Sequence, residues 1–211
     1  QGVSLDSNQF VFDNETPRHS VYLGAFEVAD RLITNDEFLA FMQDDGYSRP
    51  EFWLSDGWSK VQQFSWCSPL YWRKEGEQWF EYGLNGLQPL NMAAPVAHIS
   101  AYEADAYARW ADARLLTEFE WELVASSQAV TGNFAESGYL QAQPVIVSAA
   151  EQEQVKQLFG DLWEWTSSAY APYPGYKPAK GAVGEYNGKF MCNQLVLKGG
   201  SCVTSLNHIR S

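Results

Sequence analysis

Three short phrases fix where this chain begins its helices. Thr34–Glu37, Ser100–Glu103 and Thr117–Glu120 each place a hydroxyl residue three positions ahead of a glutamate. In that spacing the hydroxyl accepts from a first-turn backbone N–H, while the carboxylate reaches back to the N–H of the cap residue. Ile33 with Phe38, and Leu116 with Trp121, stand at the spacing of hydrophobic staples across two of these starts. The pattern predicts helices over 34–43, 100–112 and 117–126. It also makes Glu37, Glu103 and Glu120 caps before it makes them catalysts. On the middle helix, Tyr102, Ala106, Arg109, Trp110 and Ala113 fall at helical spacing on one face.

The stretches between these helices read differently. Residues 10–33 alternate loosely between apolar and polar and predict strands around a turn at Gly24. From 44 to 95, glycines and prolines recur, and Trp53, Trp58, Trp66, Trp72 and Trp79 fall among them. That mixture predicts long aromatic-pinned loops and short hairpins, not regular elements. Residues 160–190 carry the same punctuation, and LVLKGGSC at 195–202 reads as a buried strand ending in a glycine turn. The expected architecture is one α+β domain over 1–211, poor in regular structure, with few short helices and small sheets.

Charge narrows the function. Fourteen basic against 26 acidic residues leave a net charge of −12, a surface that repels phosphate backbones and argues against nucleic-acid binding. A hydrophobic content of 45% belongs to a folded globular chain, yet no apolar run reaches the roughly 18–20 residues that span a bilayer. Cys67, Cys192 and Cys202 are odd in number and show no metal-like spacing, which favours a reducing cytoplasm. The first residues lack the basic and apolar blocks of a signal peptide. His19, His98 and His208 form no pair three or four apart. His98, inside an apolar run, reads as a core histidine and His208 as a tail residue. Asp13, Glu15 and Arg18 read as a salt-bridged turn.

In GDLWEWTSSAY (160–170), Asp161, Glu164 and Trp165 are expected in an irregular loop. Two readings apply there. Asp161 and backbone carbonyls suit a hard cation such as calcium; alternatively Trp163 and Trp165 are core pins and the carboxylates bind loop amides.

Taken together, PVAHISAYEADAYARWADARLLTEFEWELVA (95–125), GDLWEW (160–165) and LVLKGGSC (195–202) resemble the formylglycine-generating-enzyme/sulfatase-modifying-factor domain. The resemblance implies an FGE-sulfatase fold, a variant of the C-type-lectin-like fold. The chain departs from that pattern at Leu116, where proline is usual, and at Lys198, where arginine is usual. A formylglycine oxidase of this family uses two cysteines shortly after the GGS turn. Here Cys202 stands alone in that region, and one thiol does not supply the paired soft ligands that Cu(I) favours.

FDNETPRH (12–19), the 44–58 run, PLYW (69–72), APYPGY (171–176) and GEYNGKF (184–190) resemble the C-terminal domain of EgtB-type ergothioneine-biosynthesis sulfoxide synthases. In those enzymes a non-haem iron and O₂ join a cysteine-type thiol to the imidazole of trimethylhistidine. The resemblance implies a parent in which an N-terminal DinB-like helical domain holds the iron, with the present chain shaping the substrate pocket. It implies cysteine or γ-glutamylcysteine as thiol donor. It also implies a fragment lacking that helical domain and the C-terminal end, inactive by itself. The Gly-bounded loop makes Tyr186 the candidate phenol for proton donation, or else a ring that pins the loop. Tyr170, Tyr173, Tyr176, Asn187 and Lys189 are the expected substrate contacts. The aromatic loops 53–79 are expected to pack on the helical domain. A non-catalytic lectin-like binding module and a formylglycine-generating oxidase are the alternatives.

Overall fold

The computed structural model describes residues 1–6, 10–146 and 154–210. Its helices are α1 (Asn35–Gln43), α2 (Ser55–Phe64), α3 (Ala101–Trp110) and α4 (Glu118–Ala125). Its strands are β1 (Trp72–Glu75), β2 (Gln78–Gly83), β3 (Gly86–Pro89), β4 (Glu164–Ala169) and β5 (Leu195–Lys198). The first three strands form an antiparallel meander and the last two a separate antiparallel pair. This is the expected α+β architecture with few regular elements.

All three capping boxes form. Glu37 N donates to Thr34 Oγ1 at 3.3 Å and Thr34 N to Glu37 Oε2 at 2.8 Å. The Ser100–Glu103 and Thr117–Glu120 boxes repeat the geometry. Two boxes carry an added clamp. Arg31 grips both carboxylate oxygens of Glu37 at 2.8 and 2.9 Å, and Arg114 grips those of Glu120 at 2.8 and 2.7 Å. The signal is a repeated Arg-Leu-x-Thr-x-x-Glu phrase, at 31–37 and again at 114–120. Each guanidinium holds its glutamate at a pKa of about 2, far below the usual carboxylate range.

Two aromatic cores result. The larger gathers Phe38, Phe41, Tyr47, Trp53, Val61 and Trp72 with Ala106, which is fully buried on α3. Phe38 stacks on Tyr107 with centroids 5.6 Å apart. Fully burying a phenylalanine contributes about 2–3 kcal/mol, so the pair Phe38 and Phe41 anchors α1 strongly. The smaller core packs Trp121, Ala125, Phe134, Leu158 and Phe159 beneath α4. Leu116 joins it against Trp121, as a staple would.

Several expectations change. Residues 18–29 form no regular element and pair with no strand among the described residues. The alternation is real, with Val21 and Leu23 half-buried around Tyr22, 93% exposed, yet no neighbouring ladder takes up the backbone. The span 44–95 contains a ten-residue helix, α2, where loops were expected. Its N-cap, Leu54, offers no side-chain cap, and Gly57 looks like a breaker. Gly57 instead permits contact: a Cβ there would stand 2.8 Å from Tyr102 Cβ, so α2 and α3 approach through that glycine. Glu164 and Trp165 lie on β4, opposite Lys198 and Leu197, not in an irregular loop. The helix expected over 100–112 ends at Trp110. Arg109 is exposed and ion-pairs with Asp105, while Ala104, Ala106 and Ala108 form the buried side of α3. β5 is half-buried, and it does end in a glycine turn, Gly199 and Gly200 at φ of 95° and 85°.

Candidate functional site

The expected substrate residues converge on the long loop between β4 and β5. Tyr170 follows β4 directly, and its N–H donates to Gln194 O at 2.8 Å, drawing the two ends of the loop together. Within the loop, Tyr170 Oη donates to Asn187 Oδ1 at 2.6 Å. Asn187 Nδ2 donates to Asp13 Oδ1 at 2.6 Å, and Tyr176 Oη donates to Asp13 Oδ2 at 2.9 Å. Beside this chain of bonds is a hollow of 580 Å³ lined by Tyr170, Tyr186, Asn187, Phe190, Gln194 and Asn14. Tyr186 is 81% exposed at its mouth. Lys189 holds its ammonium 5.5 Å from the Phe190 ring centroid, close enough for a cation–π contact.

Burial raises the Tyr170 and Tyr176 phenols above their ordinary range, so both are neutral donors at physiological pH. Tyr173 stands apart from the hollow. Its hydroxyl donates to Glu118 Oε2 at 3.0 Å at the start of α4, and its ring lies 4.6 Å from that of His19. Burial likewise raises Tyr173 and Glu118.

Sequence reasoning missed Asp13 as a member of this group. The turn at Asp13–Glu15 is not internally salt-bridged with Arg18: Asp13 reaches Tyr176 and Asn187, and Glu15 pairs bidentately with Arg210 at 3.0 and 2.7 Å. These contacts cross more than 160 residues of sequence, so no local spacing announces them.

Asp161 is buried and bound by amides. Its Oδ1 accepts from Asn133 Nδ2 and from Gln143 N, both at 2.8 Å. These are the loop-amide bonds of the second reading of this loop. Trp165 is half-buried and bonds to Ile99 O, whereas Trp163 is 42% exposed and pins no core. His98 is not a core histidine: it is exposed at φ 58°, edge-on to Tyr71. His208 lies exposed against Phe12.

A second, larger cleft of 1920 Å³ opens between the irregular 25–33 segment, α3 and the β4–β5 pair, and includes Trp121, Glu164 and Cys202 in its wall. Burial lifts the Glu164 carboxyl to about 8. It also raises the Cys202 thiol, while Cys67 and Cys192 are exposed.

Residues 2–211 match the sulfatase-modifying factor enzyme 1-like (FGE-sulfatase) domain. The chain belongs to this family. Across 95% of its length it is 33% identical to hercynine oxygenase from Mycobacterium tuberculosis, covering 51% of that protein. The hercynine oxygenase of Mycolicibacterium smegmatis is 31% identical over the same share of each chain. A formylglycine-generating enzyme from Streptomyces coelicolor is 28% identical over 90% of the chain and 71% of that protein. This FGE-sulfatase domain therefore spans about half the length of the hercynine oxygenases it matches. No described helix is long and apolar enough to cross a membrane.

Proposed function

We propose that this FGE-sulfatase domain is the substrate-facing part of a non-haem iron, O₂-dependent sulfoxide synthase. Such an enzyme joins a cysteine-type thiol to C2 of the imidazole of trimethylhistidine. The observation that carries the reading is the hydrogen-bonded set Tyr170–Asn187–Asp13–Tyr176 beside Tyr186, in a chain similar over nearly all its length to proteins named hercynine oxygenase.

The described residues do not themselves fit an iron centre. They contain no group of three or more His, Cys, Asp or Glu side chains gathered for a metal. The histidines are engaged separately, His19 with Tyr173, His98 with Tyr71 and His208 with Phe12. In this proposal the iron belongs to a helical, DinB-like domain of the parent protein, and the FGE-sulfatase domain supplies the pocket. For calcium, Asp161 is the residue that would ligate it; its Oδ1 accepts from Asn133 and Gln143, and no further pair of acidic, His or Cys side chains gathers around it among the described residues.

Within the pocket, Tyr186 offers an exposed phenol at the mouth of the hollow, placed to give a proton to a substrate atom. Tyr170 and Asn187 fix the polar wall, and Lys189, outside the lining but against its Phe190, is the proposed positive charge for a substrate carboxylate. Tyr173 belongs with α4 through its bond to Glu118, apart from the hollow.

The test uses the full-length, iron(II)-loaded protein with trimethylhistidine plus cysteine or γ-glutamylcysteine, following O₂ uptake and product mass. Sulfoxide formation that Tyr186→Phe depresses is the expected result. An intact, iron-loaded protein with no turnover on either thiol would overturn the reading and leave a binding module. That second reading draws on one comparison: the chain is also 25% identical to a mouse protein named as an inactive formylglycine-generating enzyme. A formylglycine oxidase is disfavoured by Cys202, which is buried just after the glycine turn with no second cysteine among residues 203–211.

A further inference from the structure

The proposed pocket is built on a loop, and loops hold catalytic geometry only where something rigid fixes them. The stretch 183–190 consists of turns and one short 3₁₀ segment, Gly188–Phe190. Its own backbone bonds are local: Tyr186 N to Val183 O and Phe190 N to Asn187 O. Those contacts shape the loop without tying it to the rest of the molecule. The tie comes through Asn187. Its amide is used at both ends, Oδ1 accepting from Tyr170 and Nδ2 donating to Asp13.

The two bonds differ in kind. Tyr170 is itself the first residue of the same loop, so its bond closes the loop on itself. Asp13 sits in the 3₁₀ turn Asp13–Glu15, outside the loop altogether. That turn is anchored separately: Glu15 binds Phe12 N at 2.7 Å and Arg210 through both oxygens, and Val3 N donates to Glu15 O at 2.7 Å. Asp13 also holds the Tyr176 hydroxyl with its second oxygen. One carboxylate thus bridges two points of the loop, residues 176 and 187, to a turn fixed elsewhere. Both bonds are charge-assisted, which makes them about twice as strong as neutral ones.

We propose that Asp13 is the positioning residue of this site, fixing the Asn187 amide and with it the loop that presents Tyr186. The proposal rests on the proposed function for the meaning of Tyr186, but the fixation itself is a property of the fold. Asp13 touches no substrate in this account and acts only through Asn187 and Tyr176. Both Tyr176 and Asn187 point a hydrogen at the same side chain, so position 13 must present an acceptor.

The test is amide hydrogen exchange on the full chain, for the native protein and for Asp13→Ala, Asp13→Asn and Tyr176→Phe. Asp13→Ala should speed exchange over 183–190 about tenfold or more while α1, α3 and α4 keep native protection. Asp13→Asn keeps a carbonyl acceptor for Asn187 and an NH2 that can donate to the Tyr176 hydroxyl oxygen, so both links re-form without charge and most of that protection should return. Tyr176→Phe removes one of the two bonds and should fall between. Unchanged exchange over 183–190 in Asp13→Ala, with the helices still protected, would overturn the assignment. If Asp13→Ala fails to fold, the contrast of Asp13→Asn with Tyr176→Phe decides in the same way. In the full-length iron-loaded protein, Asp13→Ala should lower kcat more than it changes KM, with Asp13→Asn rescuing. Faster exchange in Asp13→Ala together with no effect of Tyr186→Phe on turnover would leave Asp13 as the anchor and remove Tyr186 from the chemistry.

Discussion

Trp121 donates its indole N–H to Glu164 Oε1 at 3.0 Å, joining α4 to β4 at the wall of the large cleft. The bond partly offsets a burial that otherwise dominates, and the carboxyl is lifted from 4.5 to about 8. Between those values the folded state binds a proton that the unfolded state has lost, so stability falls as pH rises through that window. Glu164→Gln mimics the neutral acid and keeps an acceptor for Trp121. Its advantage over the native chain should grow from nothing near pH 4.5 to about 1–3 kcal/mol at pH 8. Denaturant midpoints across that range check this, and a constant gap at every pH contradicts it.

The clamped caps respond in the opposite sense. Glu37 and Glu120, held at about 2 chiefly by hydrogen bonds from Arg31 and Arg114, stabilise the fold above the ordinary carboxylate range. That contribution is lost as pH falls from about 4.5 toward 2. The double variant Glu37→Gln/Glu120→Gln should be less stable at pH 7 and should show a flatter acid limb in its melting temperatures. Thr117→Ala, which removes only the hydroxyl half of one box, should cost about 1 kcal/mol.

Gly57→Ala sets two effects against each other. Alanine gains roughly 1 kcal/mol of intrinsic helix preference. Its Cβ would meet Tyr102 at 2.8 Å, and overpacking of that kind costs about 1–3 kcal/mol. Packing should win, giving a net loss on the order of 1 kcal/mol. A stabilised variant would show that α2 and α3 are free to separate.

The three thiols should divide two to one. Cys67 and Cys192 are exposed and should react promptly with a thiol reagent at pH 8, whereas Cys202 is buried with a raised pKa. Titration should give two fast equivalents and a third only on unfolding. Three fast equivalents would mean that the glycine turn opens readily.

Tyr186 and Tyr170 should separate function from stability. Tyr186 is 81% exposed, so Tyr186→Phe should leave the melting temperature unchanged while lowering full-length turnover by about 10²-fold. Tyr170→Phe loses the bond to Asn187 and should cost about 1 kcal/mol. Equal losses of stability in both would argue that the two rings do the same structural work.

The three capped helices were legible because a capping box is local chemistry: donor and acceptor lie three residues apart. The glycine turn at Gly199–Gly200 was legible for the same reason. What escaped was decided across the fold. Gly57 reads as a helix breaker until Tyr102 is placed against it, and the alternation around Tyr22 reads as a strand until a partner is sought. His98 looked like a core residue from its apolar neighbours, but its left-handed backbone turns it outward. The loop holding Tyr170, Tyr176, Tyr186 and Asn187 was visible as a cluster of residue types. Its anchor was not, because Asp13 lies 174 residues from Asn187.

That separation bears on how the protein matures. A bond between residues so far apart forms only after the entropy of closing a very long loop has been overcome, and non-local closures of this kind are slow. The turn at Asp13–Glu15 is therefore expected to dock late, after both aromatic cores have brought the distant stretches near. A ligand that requires Asn187 in place would bind only molecules that have completed the fold. If the proposed pocket is the binding site, ligand binding there doubles as an assay of native assembly, and such a ligand should rescue variants that fold incompletely.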